Sequence, residues 1–318
     1  MKKLDKNFLE KLKLIYSKEE LNKIEKWFNT KRKTTFRLNS CKNDFNALDE
    51  LKSYWYKLKK ISFLKDAYFI EEIWNIKLSE TKSFKNGYIY VQWITSQIPA
   101  FLIDIEKSNN ILDLTAAPGW KTTQIACIYP ETKIYANELN KIRFDKLAYT
   151  IKKQGVKNIE LLNLDARELK KEFSSNFFDI IIADLPCSAE GRINLEKEKS
   201  YKYLEKSWIN KRNYKLQQDI LKNTINLLKT WWELIYSTCT LDPLENEGIV
   251  HYLLINFPEL EIVDIWEYFN QEWLKEISKK WIISYKKYIF KKEVSKSIRL
   301  LPSEISEWFF IAKFRKKA

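Results

Sequence analysis

Apolar and polar positions alternate regularly in the second two-thirds of the chain. Short apolar runs predict strands over Ile111–Thr115, Lys133–Asn137, Ile159–Asn163, Phe178–Asp184, Glu233–Thr238 and Phe309–Phe314. Stretches with helical spacing predict helices over Lys121–Tyr129, Lys141–Gln154, Ile209–Leu228 and Leu244–Asn256. Strands and helices that alternate at this spacing are typical of a doubly wound, Rossmann-like α/β sheet.

The chain before this domain has a different pattern. Apolar positions at helical spacing predict a small helical start over Leu4–Asn29, and Thr34–Asn39 predicts a strand. Residues Leu48–Ser83 alternate short aromatic-rich strands and helices. We therefore place a domain boundary near residue 85, between a smaller α+β region (1–85) and the α/β domain (86–318).

The net charge and the lengths of the apolar runs indicate which partners and which cellular location to expect. Lysine and arginine number 56 against 42 acidic residues, which gives a net charge of +14. Such an excess suits a polyanionic partner such as RNA, but a lysine-rich solvated surface explains it equally well. The sequence has neither an apolar run of about 18 residues nor the apolar core of a signal peptide. We expect a cytoplasmic protein without a membrane partner.

The four cysteines and the single histidine, His251, argue against a structural zinc site, because no Cys-x-x-Cys spacing occurs. We expect no bound metal and reduced cysteines. Cys41 and Cys127 are interpreted as buried, unreactive thiols. Catalysis would have to proceed without a histidine base.

Glycine is unusually rare and tryptophan unusually common. Average usage would give about 22 glycines at this length, whereas the chain has 5 glycines and 12 tryptophans. Trp120 follows the Pro118-Gly119 turn, Trp231 and Trp232 precede the Leu234 strand, and Trp308 precedes the last strand. Turns that need a positive φ penalise bulky residues. Because some bacteria read UGA as glycine, we hypothesise that these tryptophans are glycine codons read with the wrong code.

Three strand ends bring chemistry-bearing residues to one edge of the predicted sheet. Ile111–Lys121 reads as strand, tight turn and helix start, which is how α/β sheets build ligand sites. The strand at Phe178 ends in Asp184-Leu185-Pro186-Cys187-Ser188, and the strand at Glu233 ends in Thr238-Cys239-Thr240. Both cysteines thus fall where such sheets bind ligands.

Taken together, these motifs resemble the Sun-type family of RNA cytosine-5 methyltransferases, which use S-adenosylmethionine. The match runs from about Thr34 to the C-terminus. The resemblance implies an enzyme that methylates carbon 5 of a cytosine in RNA. We expect ribosomal RNA as the target and a monomeric enzyme. A transfer RNA methyltransferase and a catalytically weak, RNA-binding ribosome assembly factor remain alternatives.

The resemblance also implies a cofactor site. The methionine end of S-adenosylmethionine would lie against a loop whose residues are Thr115, Ala116, Ala117, Pro118, Gly119, Trp120 and Lys121. Glu138 suits the ribose hydroxyls and Asp165 the adenine end, and Asp184 also belongs to the expected cofactor site. Alternatively, Glu138 and Asp165 merely cap the helices that follow them.

In this family the Thr-Cys cysteine is the nucleophile, and the Pro-Cys cysteine assists product release. Carried over, Cys239 attacks carbon 6 as a thiolate, and Cys187 helps the elimination. Asp184 resembles the residue that protonates or hydrogen-bonds nitrogen 3. Lys121 or a helix dipole would help to ionise the thiol.

RNA contacts are expected at the N-terminal strand. Arg37 and Asn39 resemble the family's Arg-x-Asn element, and Arg32 and Lys33 lie just before it. Cations beside an aromatic residue suit phosphate contacts and base stacking. An ordinary basic edge strand is the alternative interpretation.

Overall fold

In a computed structural model, the structure describes residues 4–72, 76–103, 109–202, 208–270, 272–279 and 282–318. These residues form an N-terminal helical pair, a four-stranded antiparallel sheet, a nine-stranded mixed sheet and a small hairpin. The helices are α1 (Lys6–Ile15), α2 (Lys18–Asn29), α3 (Ala47–Ser53), α4 (Lys82–Lys85), α5 (Ile94–Phe101), α6 (Trp120–Ile128), α7 (Lys141–Gln154), α8 (Trp208–Thr224), α9 (Ile249–Asn256) and α10 (Glu272–Ile277). The strands are β1 (Thr35–Leu38), β2 (Lys57–Lys60), β3 (Ala67–Glu72), β4 (Ile89–Val91), β5 (Asn110–Asp113), β6 (Lys133–Asn137), β7 (Ile159–Leu162), β8 (Phe178–Asp184), β9 (Leu228–Thr238), β10 (Leu260–Val263), β11 (Ser278–Lys279), β12 (Ser284–Tyr285), β13 (Tyr288–Ile289), β14 (Ile298–Leu300) and β15 (Phe309–Lys316).

The large sheet confirms the predicted doubly wound α/β fold. Strands β7, β6, β5, β8 and β9 lie side by side and parallel, and β15 pairs antiparallel with β9. Successive β5 residues belong to different cores: Ile111 packs in the core with Ile125 of α6, and Leu112 in the core with Leu221 of α8. Burial on both faces explains why the strands read as continuous apolar runs.

Two details of the predicted elements are corrected. The helix expected over Ile209–Leu228 ends at Thr224, and strand β9 already begins at Leu228. Trp231, expected in a turn before the strand, lies within β9 with a φ of +70°. There the register against β8 shifts between Phe178 and Ile180. The turn signal therefore marks a bulge inside a long strand.

The four-stranded sheet crosses the expected domain boundary. Its order is β2-β3-β1-β4, so its last strand, Ile89–Val91, lies beyond residue 85. The helical pair α1–α2 does not join the core of that sheet. Phe8 and Phe28 instead pack in a cluster with Leu241 and Trp308 of the α/β domain.

The cysteines Cys41 and Cys127 form a disulfide, with Cα atoms 5.2 Å apart. The prediction that all cysteines are reduced is therefore wrong for this pair, and Cys41 is exposed rather than buried. The two residues are 86 positions apart in the chain. They meet because β1 ends beside α6, which no local pattern indicates. Across the described ranges, no helix is both long and apolar enough to cross a bilayer.

Candidate active site

The carboxyl ends of β5, β8 and β9 meet at one edge of the large sheet. The chain turns in opposite directions after neighbouring strands β5 and β8, which is where open α/β sheets bind ligands. A cavity of about 570 Å³ lies there. From the predicted site it is lined by Thr115, Ala116, Ala117, Pro118, Trp120, Lys121, Asp184, Cys187 and Cys239. The structure thus brings together residues from three separate segments of the chain.

A second cavity of about 510 Å³ adjoins the first. Thr115, Arg143 and Pro186 line both cavities. Glu138 and Asp165, at the ends of β6 and β7, line the second one. The two cavities together form an elongated cleft that begins at Asp165 and ends at the cysteines.

The loop between β5 and α6 has a tight, supported shape. Gly119 precedes α6 with a φ of +101°, and a Cβ there would lie 3.0 Å from Leu147 Cδ1. Glycine is therefore required at this position. Arg143 donates from Nη2 to the Ala117 carbonyl at 2.7 Å. This bond fixes the loop against α7, and the first N–H groups of α6, which have no acceptor within the helix, follow directly after the loop.

Glu138 is buried but keeps spare hydrogen-bonding capacity. Its Oε1 accepts from the Asn140 backbone N–H at 3.0 Å. Its Oε2 lies 3.1 Å from Arg143 Nη1, yet accepts no hydrogen bond of good geometry from any described residue. A buried carboxylate in a cleft, with one oxygen that accepts no hydrogen bond, fits a vicinal diol such as a ribose.

Asp165 caps the helical turn that follows it, as the alternative interpretation expected, and it also lines the cleft. Its carboxylate accepts from the Arg167 backbone N–H at 3.0 Å and forms an ion pair with the Arg167 guanidinium. The hydrogen bonds from the side chain and then the backbone of Arg167, followed by its charge, hold the pKa of Asp165 below its usual range. Capping and ligand contact are compatible here.

Lys121 and Asp184 form an ion pair beside the cysteines. Lys121 Nζ lies 2.6 Å from Asp184 Oδ2, and the lysine side chain is 6% exposed. Ser237 of β9 donates to the other carboxylate oxygen at 3.0 Å. Both carboxylate oxygens of Asp184 therefore have a donor, and the side chain is held in one orientation.

Cys187 and Cys239 face each other, with their sulfur atoms 3.5 Å apart. A hydrogen bond from Cys187 lowers the pKa of Cys239, and the nearby charge of Arg192 acts in the same direction. The same contact raises the pKa of Cys187, and burial adds to the increase. Cys239 is thus the thiol whose environment favours the thiolate.

Arg192 is a site residue that sequence reasoning missed. It lines the larger cavity, lies with Cζ 5.6 Å from the Trp120 ring centre, and approaches Glu307 at 3.6 Å. The charge of Cys239, before that of Glu307, raises the pKa of the guanidinium. The sequence feature that could have identified Arg192 is its position directly after Gly191, in the segment that follows Cys187.

Asp113, the last residue of β5, was also missed. It lines the larger cavity and accepts from the Thr122 hydroxyl at 2.7 Å. Burial raises its pKa to about 6, against the opposing effect of that hydrogen bond. Its place inside the Ile111–Lys121 motif was the signal.

The loops that carry the cysteines are tied together by their backbones. The Gly191 N–H donates to the Cys239 carbonyl at 2.9 Å. A Cβ at residue 191 would lie 2.7 Å from that same oxygen, so the close approach requires glycine. Ser188 and Thr240 hydroxyls are 2.5 Å apart. The separation of the two sulfur atoms therefore depends on how these loops are held.

The expected RNA contacts at Arg37 and Asn39 are wrong. Arg37 is 3% exposed, and its guanidinium donates to Gln92 Oε1 at 3.0 Å and to Thr123 Oγ1 at 2.7 Å. Asn39 is buried and donates to the Gly87 and Gln154 carbonyls. Both side chains join the small sheet to the α/β domain, so neither faces a ligand.

Arg32 and Lys33 lie nearer the surface but are paired. Arg32 approaches Glu307 at 3.8 Å, and its side chain is 9% exposed. Lys33 forms an ion pair with Glu304 at 2.9 Å. A phosphate contact at either residue would compete with an existing carboxylate. Within the described ranges, no group of three or more His, Cys, Asp or Glu side chains forms a metal site.

Comparison with known proteins identifies the family of this chain. The family described as 16S rRNA methyltransferase RsmB/F matches residues 100–315. The chain belongs to this family. The tRNA (cytosine(49)-C(5))-methyltransferase of Pyrococcus abyssi is 30% identical over 99% of this chain and 97% of its own length. The family assignment made from the motifs is confirmed, and with it the class of enzyme, an RNA cytosine-5 methyltransferase.

Other relatives of this RsmB/F-family chain are longer. The ribosomal RNA small subunit methyltransferase F of Aliivibrio salmonicida is 29% identical over 89% of this chain, which spans 58% of that protein.

NSun6 from Pyrococcus horikoshii, solved with SFG, an S-adenosylmethionine analogue, has a TM-score of 0.78 at 23% identity. That superposition covers 99% of this chain and 98% of NSun6, and it shows a shared fold.

Proposed function

We propose that this chain transfers a methyl group from S-adenosylmethionine to carbon 5 of an RNA cytosine through a covalent bond between Cys239 and the base. The observation that supports this most is the pair of sulfur atoms 3.5 Å apart beside the Lys121–Asp184 ion pair. This group lies at one end of a cleft whose other end is lined by Glu138.

The cleft residues suit the two ends of the cofactor. Glu138 would accept from the ribose hydroxyls through Oε2, and Asp165 would accept from the adenine amine. The α6 N-terminus and the Thr115–Trp120 loop would hold the methionine carboxylate. Bound in this way, S-adenosylmethionine supplies an electrophilic methyl group close to the cysteines.

The chain's own residues would do the rest of the chemistry. The Cys239 thiolate adds to carbon 6 of the cytosine, and the negative charge that develops on the ring is neutralised when Asp184, entering the step as the carboxylic acid, gives its proton to nitrogen 3. After carbon 5 has taken the methyl group, a base in the cleft removes the carbon-5 proton, and the electrons of that C–H bond re-form the C5–C6 double bond as the S–C6 bond breaks and Cys239 leaves as a thiolate. Nitrogen 3 returns its proton to Asp184. Cys187, the neighbour of Cys239, assists that release. A base must leave its stack to reach the cleft, so single-stranded or flipped cytosine is the substrate.

We propose ribosomal RNA as the target, in keeping with the description of the matched family. Transfer RNA is the second candidate, because a relative that matches this chain nearly end to end is a tRNA methyltransferase. Bisulfite sequencing of ribosomal and transfer RNA from cells with and without the gene separates the two. Loss of one 5-methylcytosine in one RNA class identifies the target.

A transfer assay tests the chemistry itself. Purified protein, labelled S-adenosylmethionine and unmodified cellular RNA should give labelled 5-methylcytosine, and DNA of the same sequence should give none. The Cys239→Ala protein should lose transfer but still bind S-adenosylmethionine in calorimetry, because Cys239 meets the base and not the cofactor. Cofactor binding without transfer by the unaltered protein would instead favour an assembly factor. Turnover by Cys239→Ala would remove Cys239 from the nucleophile role.

A further inference from the structure

Helix α1 packs on the two loops that carry the cysteines. Its buried side chains Phe8 and Leu12 share a cluster with Ile193, Leu195 and Leu241. Ile193 and Leu195 follow Cys187 in the chain, and Leu241 follows Cys239. The first helix of the chain therefore covers the back of the candidate active site and lies outside the core of the N-terminal sheet.

One lysine of α1 enters this interface. Lys11 Nζ lies 3.0 Å from Asp242 Oδ2 and forms a still closer contact with Glu190 Oε1. Asn210 of α8 donates to the same two oxygen atoms. Lys11, Glu190, Asp242 and Asn210 are called the anchoring cluster below. The lysine side chain is 11% exposed and the carboxylates 1% and 5%.

The two carboxylates belong to different cysteine loops. Glu190 comes three residues after Cys187, and Asp242 comes three residues after Cys239. Glu190 also precedes Gly191, whose N–H donates to the Cys239 carbonyl at 2.9 Å. The Lys11 ammonium group thus bridges the two loops. On the Cys187 loop it contacts Glu190, one residue before Gly191, where the backbones of the loops meet.

Electrostatics explains why this bridge needs a cation. Two carboxylates that approach one Nζ within hydrogen-bonding distance repel each other strongly when buried, and removal of the shared cation leaves both uncompensated. Burial acts to raise the pKa of Asp242, but the Lys11 charge and the hydrogen bonds from Asn210 and Lys11 outweigh it and keep the pKa low. Without Lys11 the loops must separate or one carboxylate must take up a proton.

We propose that Lys11 is a positioning residue for the two-cysteine site, which acts by holding the loops of Cys187 and Cys239 at their working separation. The proposal rests on the proposed function for its link to methyl transfer, but its structural part concerns the cysteines alone. Lys11 touches neither cofactor nor base. Its effect is transmitted through Glu190 and Asp242 to the backbone that places the sulfur atoms.

The test compares Lys11→Met with Lys11→Arg and with Lys13→Met. Lys13 lies on the same helix, 61% exposed, and pairs with Glu10, so its variant is the matched control. The first readout is the rate at which iodoacetamide alkylates Cys239 in the protein without RNA, measured by peptide mass spectrometry across pH. The second is methyl transfer, resolved into kcat and KM. Calorimetric binding of S-adenosylmethionine reports whether each variant is folded.

We expect Lys11→Met to shift the alkylation profile of Cys239 to higher pH, because the loops no longer hold Cys187 as a donor to its thiolate. Displacement of reacting groups by about 1 Å costs on the order of 100-fold in rate, so kcat should fall by roughly that factor with KM little changed. Lys11→Arg should restore most of both. Lys13→Met should match the unaltered protein.

Two results would overturn the proposal. One is a Lys11→Met protein that binds the cofactor and keeps the alkylation profile and kcat, with only a lower melting temperature. The other is an equal loss in Lys11→Arg and Lys11→Met.

If Lys11→Met does not fold, Glu190→Gln keeps the shape of the cluster and weakens its charge link, and the same profile shift is required of it. Absence of methyl transfer by the unaltered protein would count against the proposed function, while the alkylation arm would still test the anchoring role.

Discussion

Cys187 Sγ lies 3.5 Å from Cys239 Sγ, although 52 residues separate them in the chain. At this distance one thiol donates to the other, and the pair is asymmetric. The hydrogen bond from Cys187, with the nearby charge of Arg192, lowers the pKa of Cys239, whereas the same hydrogen bond and burial raise the pKa of Cys187. The environment thus favours Cys239 as the thiolate, the same division of labour that the family resemblance implies.

Removal of Cys187 should separate addition from release. In Cys187→Ala, Cys239 can still attack and methylation can proceed, but the S–C6 bond is no longer broken efficiently. We expect a covalent protein–RNA complex that migrates slowly on a denaturing gel. The double variant with Cys239→Ala is the control and should give no complex. If Cys187→Ala alone gives none, the roles assigned to the two cysteines are wrong.

Removal of Arg192 should make Cys239 less reactive at neutral pH. The pKa of Cys239 is lowered in the folded protein, so its thiolate fraction at a given pH exceeds that of an ordinary thiol. An opposite charge close by shifts a pKa by about 1–3 units. Arg192→Met should therefore move the pH profile of iodoacetamide alkylation upward and slow the reaction at pH 7 by roughly tenfold or more.

The control for this variant lies in the same segment. Lys197 is exposed, and Lys197→Met should leave the alkylation profile unchanged. Arg192→Lys keeps the charge and should recover part of the rate. An alkylation profile in Arg192→Met that coincides with that of the unaltered protein would show that Arg192 does not act on the thiol.

Glu138 should matter for cofactor affinity and not for folding. Its Oε2, which lies 3.1 Å from Arg143 Nη1 but accepts no hydrogen bond from the described residues, is the acceptor that would bind a ribose hydroxyl. Loss of a hydrogen bond to a charged group costs about 1.5–3 kcal/mol, so Glu138→Gln should weaken S-adenosylmethionine binding by roughly 10- to 100-fold. Glu160→Gln is the control, because Glu160 pairs with Lys133 at the surface with 45% of its side chain exposed. Equal affinity of the two variants in calorimetry would exclude the ribose role.

The tryptophans at glycine-like positions remain a prediction about the gene. Of the four positions, Trp231 has a positive φ, +70°, while Trp120, Trp232 and Trp308 do not. The expected backbone strain therefore applies to Trp231 alone among them. Trp308 carries a different cost: its buried Nε1–H donates to no acceptor among the described residues.

We expect UGA and not UGG at positions 120, 231, 232 and 308. Trp55, also with a positive φ (+64°) and 71% exposed, joins this group on structural grounds. Strain at such a residue costs about 1–3 kcal/mol, so Trp231→Gly should raise the free energy of unfolding in urea by roughly that amount. Trp120→Gly should tighten S-adenosylmethionine binding, because the indole lines the cleft. UGG codons at all four predicted positions would contradict the hypothesis.

The α/β domain was predictable because its signals are local. Strands such as Lys133–Asn137 and helices such as Lys141–Gln154 have the predicted bounds, since a strand buried on both faces must be continuously apolar. Strands β10, β11 and β14 were not predicted. They are short, and they form because β15 and its neighbours offer edges to pair with, which is a property of the assembled sheet.

The candidate site likewise contains residues that local motifs identified and residues whose role those motifs did not reveal. Motifs identified Cys187, Cys239, Asp184 and the Thr115–Lys121 loop, because parallel strands end at one edge of a sheet wherever their sequences lie in the chain. The motif at Arg37 and Asn39 was also found, but its role was misjudged. The same sequence pattern is compatible with an exposed basic strand and with a buried polar contact between two domains. Only burial in the folded protein distinguishes the two.

By itself, the sequence determined the fold class, the family and the residue types at the strand ends, since periodicity and short motifs depend on neighbours along the chain. Tertiary structure alone decided which groups act on one another over long separations. The Cys41–Cys127 disulfide, the Arg192 charge beside Cys239 and the bridge from Lys11 to Glu190 and Asp242 are all of this kind. Burial and electrostatic interaction depend on distance in space, which the order of residues does not specify.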